Sequence, residues 1–238
     1  MPAIDQLKVK LYADGADRDG MLEMYEQPYI RGFTTNPTLM KKAGITDYEA
    51  FAHDILRSIP DRPISFEVFA DEFDEMERQA LKIKTWGENV FVKIPVSNTR
   101  KEMSYDLIGR LSEAGVRLNI TAILTLDQVQ QVAEAVKGGP ESIVSVFAGR
   151  IADTGLDPVP VMSEALGILK SAPRAELLWA SPREVLNIYQ ADAIGCHIIT
   201  ATNDIIRKLS LASKDLAQYS LETVQMFYDD AQKAGYSL

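Results

Sequence analysis

The stretch NVFVKIPVSN, residues 89–98, sets one lysine, Lys93, in the middle of a run of Val, Phe and Ile. An ammonium taken out of water without a partner is costly, so Lys93 must be paired, reach an edge, or serve a purpose. Desolvation favours the neutral amine of a buried lysine, and such an amine attacks a carbonyl to form a Schiff base. The iminium is an electron sink for breaking the adjacent carbon–carbon bond. That step needs a base for the departing hydroxyl proton and a group that carries protons through dehydration. Asp14 and Glu67 can divide these roles if their surroundings push their pKa values apart. Asn36, Asn119, Thr34, Thr121 and Ser145 add hydrogen-bonding side chains on neighbouring strand candidates. Arg150 directly follows one such strand, and Ser181 and Arg183 in SPRE follow another at what reads as a helix start, a place that suits an anion. Each has a plainer reading alone: Ser65, Ser145 and Thr34 as satisfied structural hydroxyls, each arginine as a surface ion pair. Two carboxylates, an amine and several hydrogen-bonding groups converging in one place exceed the needs of a structural ion pair.

Convergence depends on the elements beneath these residues. Short apolar runs alternate with amphipathic ones: KVKLYAD (8–14), GFTTN (32–36), ISFEVFA (64–70), NVFVKIPV (89–96), RLNITAIL (117–124), SIVSVFAG (142–149), AELLWAS (175–181) and CHIITAT (196–202). Helix candidates such as DYEAFAHDILRS, TLDQVQQVAEAVKGG and PVPVMSEALGILKS lie between them, with apolar spacing of three to four residues and polar or Gly/Pro ends. Eight βα units in one 238-residue chain predict a single-domain (β/α)8 TIM barrel over 1–238, the rival being a doubly wound open sheet. The end of the chain, about 216–235, predicts an extra helix whose Leu, Val, Met and Phe face suits a subunit contact. Side chains alternate along a strand, so the more apolar parity is assigned outward, towards the helices. That leaves Tyr12 and Asp14, Thr34 and Asn36, Ser65 and Glu67, Phe91 and Lys93, Asn119 and Thr121, Ser145 and Phe147, and Trp179 and Ser181 facing the lumen.

Composition narrows the function. A formal net charge of −9 disfavours nucleic acid and anionic membranes as partners. One cysteine, Cys196, excludes a disulfide framework within the chain, and two histidines far apart, His53 and His197, argue against zinc. His197 reads as a packed core residue. The start, MPAIDQLKVKLYAD, lacks an apolar signal region, so the expected location is the cytoplasm. No G-x-G-x-x-G or G-x-x-x-x-G-K-[ST] motif is present to cradle a nucleotide.

GFTTNPTLM (32–40) resembles the transaldolase signature around T-[ST]-N-P, and VFVKIPVS (90–97) resembles that family's lysine strand. The likeness continues in order through LYAD, SFEV, LNITAIL, VFAGRI and WASPR, along nearly the whole chain. In size the chain is similar to the small transaldolase and fructose-6-phosphate aldolase branch. The resemblance implies a (β/α)8 barrel of the pentose phosphate route that acts on sugar phosphates and needs no metal or organic cofactor. It implies Lys93 as the Schiff-base residue on a ketose carbonyl and Asp14 on the C4 hydroxyl proton. Glu67 with Thr121 would hold the water that relays protons, Asn36 and Asn119 would contact substrate hydroxyls, and Arg150, Ser181 and Arg183 would hold the distal phosphate. Small-branch relatives form rings through a C-terminal helix, which implies a homo-oligomer, a decamer being one candidate.

The aldolase branch carries Gln at the position of Glu67 and Tyr at that of Phe147, so this chain is similar to the transferases there. The alternatives are a lyase that releases free dihydroxyacetone and a non-catalytic barrel that only binds sugar phosphate. Pro182 departs from the family, whose members commonly have an aromatic residue there. Proline suits a first helical turn, so the anion site is expected to open differently, and a sulfonate in place of phosphate stays open.

Overall fold

A computed structural model describes residues 2–236. Eight parallel strands close into a barrel in sequence order: β1 (Lys10–Asp14), β2 (Ile30–Thr34), β3 (Ile64–Glu67), β4 (Val90–Pro95), β5 (Leu118–Ile123), β6 (Ser142–Val146), β7 (Ala175–Trp179) and β8 (Ile198–Thr202). β8 pairs back onto β1, with Lys10 opposite Ile198 and Asp14 opposite Thr202. The fold is therefore the (β/α)8 TIM barrel expected from the alternation, not an open sheet.

The helices begin where the sequence supplies a cap. Asp47 accepts from the Ala50 amide at the head of Tyr48–Ser58, and Thr125 with Gln128 forms a capping box ahead of Leu126–Val136. Asp157 caps Pro158–Leu169, whose first residue is a proline with no amide proton to lose. Their apolar faces and the outward strand residues, among them Phe33, Phe66, Ile94, Ile120 and Val144, form the main core between sheet and helices.

A second, smaller cluster fills the lumen: Tyr12, Phe91, Ile143, Leu178, Ala180 and Ile198, with Phe147 against it. It corrects the expected parity of β7. Trp179 is fully buried among the helices, and Leu178 and Ala180 face the lumen instead. In a parallel barrel both faces of a strand are buried, so LLWA gives no apolarity contrast by which to choose. The Tyr12 ring fills lumen space beside Gly32; a Cβ at Gly32 would stand 2.5 Å from it.

The last helix spans Leu216–Ala234, ends on Gly235 in a left-handed cap, and contains no buried residue. Leu216, Leu221, Val224, Met226, Phe227 and Tyr228 are all exposed on it. Among the described residues no helix is long and apolar enough to cross a membrane.

Candidate active site

The polar lumen residues meet at the C-terminal ends of the strands, the face on which barrel enzymes carry their chemistry. A cavity of about 460 Å3 opens there, lined by Asp14, Thr34, Asn36, Glu67, Lys93, Asn119, Thr121, Ser145, Phe147, Arg150 and Ser181. Of the residues given a catalytic or substrate-contacting role from the sequence, Arg183 alone is missing from this lining. Larger cavities lie elsewhere, one of them about 820 Å3 at the opposite mouth, but they lack the lysine and its carboxylates. The pocket that matters is chosen by its chemistry, not its size.

Sheet register explains the convergence. Lys93 on β4 stands opposite Glu67 on β3 and Asn119 on β5, and Asp14 on β1 stands opposite Thr34 on β2. Lys93 is 7 % exposed; its Nζ lies 3.4 Å from Glu67 Oε2 and donates to the Thr35 carbonyl at 3.1 Å. Burial pushes the carboxyl groups of both Asp14 and Glu67 up from their ordinary range, and the charge of Lys93 pulls each partly back. Thr34 adds a hydrogen bond to Asp14 Oδ1 at 2.7 Å, which also favours its charged form. Two carboxyl groups beside one amine are thus held away from their solution behaviour by the cavity itself.

The wall is a hydrogen-bonded lattice. Asn119 donates to Ser65 Oγ at 2.9 Å and accepts from Ser145 Oγ at 2.6 Å, which fixes its orientation between β3 and β6. Asn36 lies just beyond β2 and caps the helix Pro37–Lys42 through a 3.0 Å bond from the Leu39 amide, leaving its own NH2 for a ligand. Thr121 is different: its hydroxyl is buried and finds no protein partner. Buried polar atoms are seldom left so, and Trp86 Nε1, Trp179 Nε1 and Tyr189 Oη share this state away from the cavity. A bulge in β5 sits at this point, where Ile120 to Ile123 is matched by only Val144 to Val146 on β6. Ala122 takes φ +63° within it, and both Thr121 and Ala122 reach the cavity. A β-branched or larger side chain in this left-handed conformation would be strained, and alanine is strained less.

The rim at β6 and β7 holds the cations. Arg150 lies on the short helix Ala148–Asp153, exposed, with its guanidinium 5.3 Å from the centroid of the Phe147 ring. Arg183 is committed elsewhere. Its Nε donates to Asp153 Oδ1 at 2.8 Å, its Nη2 pairs with Asp153 Oδ2, and its Nη1 donates to Ser181 Oγ at 2.9 Å. The helix expected at SPRE begins only at Leu186, so Ser181, Pro182 and Arg183 lie in the loop ahead of it. Asn187 Oδ1 takes the amides of Arg183 and Glu184, so those two donors are not offered to an anion. Ser181 reaches the cavity through a backbone turn at φ +60° and not through strand alternation. Gly149 makes room for it: a Cβ there would fall 1.6 Å from the Ser181 carbonyl oxygen.

Residues 11–238 match the family described as Transaldolase/Fructose-6-phosphate aldolase. The chain belongs to the transaldolase/fructose-6-phosphate aldolase family. Proteins named "probable transaldolase" are similar to it along most of its length. That of Dehalococcoides mccartyi is 31% identical over 202 residues, covering 84% of this chain and 90% of the relative. That of a Thermoanaerobacter species is 29% identical over 231 residues, covering 97% and 100%. Among solved structures, dihydrodipicolinate synthase from Rhodopseudomonas palustris superposes with a TM-score of 0.58 at 14% identity, over 93% of this chain and 80% of that one. At that identity the likeness shows the barrel fold alone. Membership makes this transaldolase-family chain a transaldolase-like enzyme.

Thr200 on β8 lines the cavity and was not singled out in the sequence. The alternation rule would have found it, because Ile199 and Ala201 are the outward pair of IITAT. His197 is structural, its Nδ1 accepting from the Leu177 amide at 2.9 Å. Among the described residues no group of three or more His, Cys, Asp or Glu could hold a metal ion.

Proposed function

We propose that this enzyme is a class I transaldolase, moving a dihydroxyacetone unit from a ketose phosphate such as fructose 6-phosphate to an aldehyde such as erythrose 4-phosphate. The observation that carries the reading is the buried Lys93 amine 3.4 Å from Glu67, in one cavity with Asp14 and below an arginine at the rim. Lys93 Nζ adds to the ketose carbonyl, and loss of water leaves an iminium. Glu67, beside the amine, exchanges the protons of that dehydration with a water held by Thr121. Asp14 then takes the C4 hydroxyl proton as the C3–C4 bond breaks; an aldehyde leaves and the enamine stays on Lys93. The acceptor aldehyde enters, the enamine carbon adds to its carbonyl, Asp14 returns its proton to the new hydroxyl, and water hydrolyses the iminium to free the product and the Lys93 amine. Asn36 and Asn119 hold substrate hydroxyls. Arg150 and the Ser181 hydroxyl meet the distal anion, and Arg183 supports them by donating to Ser181 Oγ. The exposed apolar face of Leu216–Ala234 favours a homo-oligomer as the working form.

Borohydride reduction with a ketose donor should leave an adduct on the peptide that holds Lys93, and Lys93→Ala should be inactive. An adduct on another lysine, or an active Lys93→Ala enzyme, refutes the mechanism. Transfer is separated from simple cleavage by product analysis with and without an aldehyde. Phe147 supplies no hydroxyl to hold the hydrolytic water, so the enamine should wait for its acceptor. The pair Glu67→Gln and Phe147→Tyr should raise acceptor-independent release of dihydroxyacetone. Free release by the unaltered enzyme would make it a lyase.

A further inference from the structure

The scheme above gives Asp14 a proton to take and return, and the floor beneath it holds a hydroxyl chain with no assigned role. Thr34 Oγ1 donates to Asp14 Oδ1 at 2.7 Å, and the same oxygen lies 2.6 Å from Thr200 Oγ1. Both threonines are buried, at 2 % and 6 % exposure. They sit on the strands that flank Asp14, β2 on one side and β8 on the other.

A hydroxyl has one proton to give. While Asp14 is ionised, Thr34 gives its proton to the carboxylate, so its oxygen accepts from Thr200. Once Asp14 carries a proton on Oδ1 the chain can reverse, with Asp14 donating to Thr34 and Thr34 to Thr200. Neither state strands Thr34, whose isolation in a dry site would oppose the exchange. The other ionisable groups that face Asp14 are Lys93 on β4, whose positive charge favours the carboxylate, and Glu67 on β3. The two threonines are neutral and add no charge of their own.

We propose that Thr200 is a positioning residue for the reaction, the anchor of a reversible two-hydroxyl relay through Thr34 that lets Asp14 take and return a proton without leaving Thr34 unpaired. This rests on the reading of Asp14 as the base. Without the Thr200 hydroxyl, Thr34 still donates to Asp14 but is no longer polarised from behind. The carboxylate is then held less well, and Asp14 should bind its proton up to a higher pH.

The test is Thr200→Val, which replaces one hydroxyl by a methyl, with Thr200→Ser as rescue. In the ligand-free full-length protein, the Asp14 carboxyl titration followed by 13C NMR should move up by about 0.2–0.5 pH units in Thr200→Val and return in Thr200→Ser. Thr34→Val, which removes the direct donor, should move it by about 1–2 units. The ascending limb of the kcat–pH profile should follow in each case. If Thr200→Val does not fold, Thr200→Ala removes the same hydroxyl with less bulk. An unmoved titration and an unmoved limb in the folded variant overturn the relay, as does a loss of kcat that Thr200→Ser fails to restore. The borohydride adduct on Lys93 separates the two ideas. If no adduct forms in the unaltered enzyme the Schiff-base reading fails, while the titration of Asp14 still decides the relay.

Discussion

Gly149→Ala offers a measure of how far the anion end of the site is built from backbone. The added methyl would start 1.6 Å from the carbonyl oxygen of Ser181. A carbon and a carbonyl oxygen rest at about 3.3 Å, so the two loops must part by roughly 1.7 Å. The obstacle is backbone, and Ser181 already sits at φ +60°, where little further rotation is free. Overpacking of this kind should cost about 1–3 kcal/mol of stability. A displacement of about 1 Å in a positioning group can cost about 100-fold in rate, so kcat/KM for phosphorylated donors should fall at least that far. Lys93 is on β4, two strands from β6 and three from β7, so an unphosphorylated ketose should still give the borohydride adduct within a few-fold of the unaltered rate. The assay compares both donors on protein whose melting curve shows it folded. Equal losses with both donors, or an unchanged kcat/KM for the phosphorylated one, would refute the reasoning that Gly149 exists to seat Ser181.

Three further outcomes follow from other parts of the fold. Ala122→Gly relieves a left-handed alanine and should stabilise the protein by roughly 0.5–1 kcal/mol in urea titration, net of the added freedom of the unfolded chain; a loss of stability would show that the bulge is not strained there. The carboxyl of Asp14 keeps its proton to higher pH in the native state than in the unfolded one, so its contribution declines as pH climbs from the ordinary carboxylate range to the raised native value. Asp14→Asn should therefore gain on the order of 1 kcal/mol at pH 7, a gain that shrinks towards pH 4, while transfer is lost; a variant less stable at both pH values contradicts this. Ending the chain after Lys214 removes a helix with no buried residue, so the barrel should melt nearly unchanged while its sedimentation falls to that of a monomer; an unchanged mass would show that the helix is not the subunit contact.

Sequence alone reached most of this site, because strand alternation is a local rule and the inward set was polar enough to be read. It worked for Asp14, Glu67, Lys93 and Asn119, each flanked by clearly apolar neighbours. It misplaced Trp179, since LLWA is apolar on both faces and only packing against the helices selects Trp179 for the outside. It put Ser181 in the cavity for the wrong reason: a left-handed turn brings it there, and no pattern of residue types announces a positive φ at a serine. For Arg183 the sequence reported a cation after a strand but not its partner, because Asp153 is 30 residues away and comes near only once two loops have packed. Thr200 is legible by the same alternation, with Ile199 and Ala201 the outward pair of β8.

The lumen cluster of Tyr12, Phe91, Ile143, Leu178, Ala180 and Ile198 has a consequence for traffic. It plugs the barrel below Lys93, so the cavity above is a cup with a single mouth and no rear exit. In the proposed reaction an aldehyde cut from the donor leaves by the route its replacement must use, and the two cannot pass one another. The acceptor queues until the first product is gone. Under the proposed chemistry, initial-rate plots against donor at several acceptor concentrations should therefore be parallel lines, the closed floor adding to the order that a lysine-bound intermediate already sets.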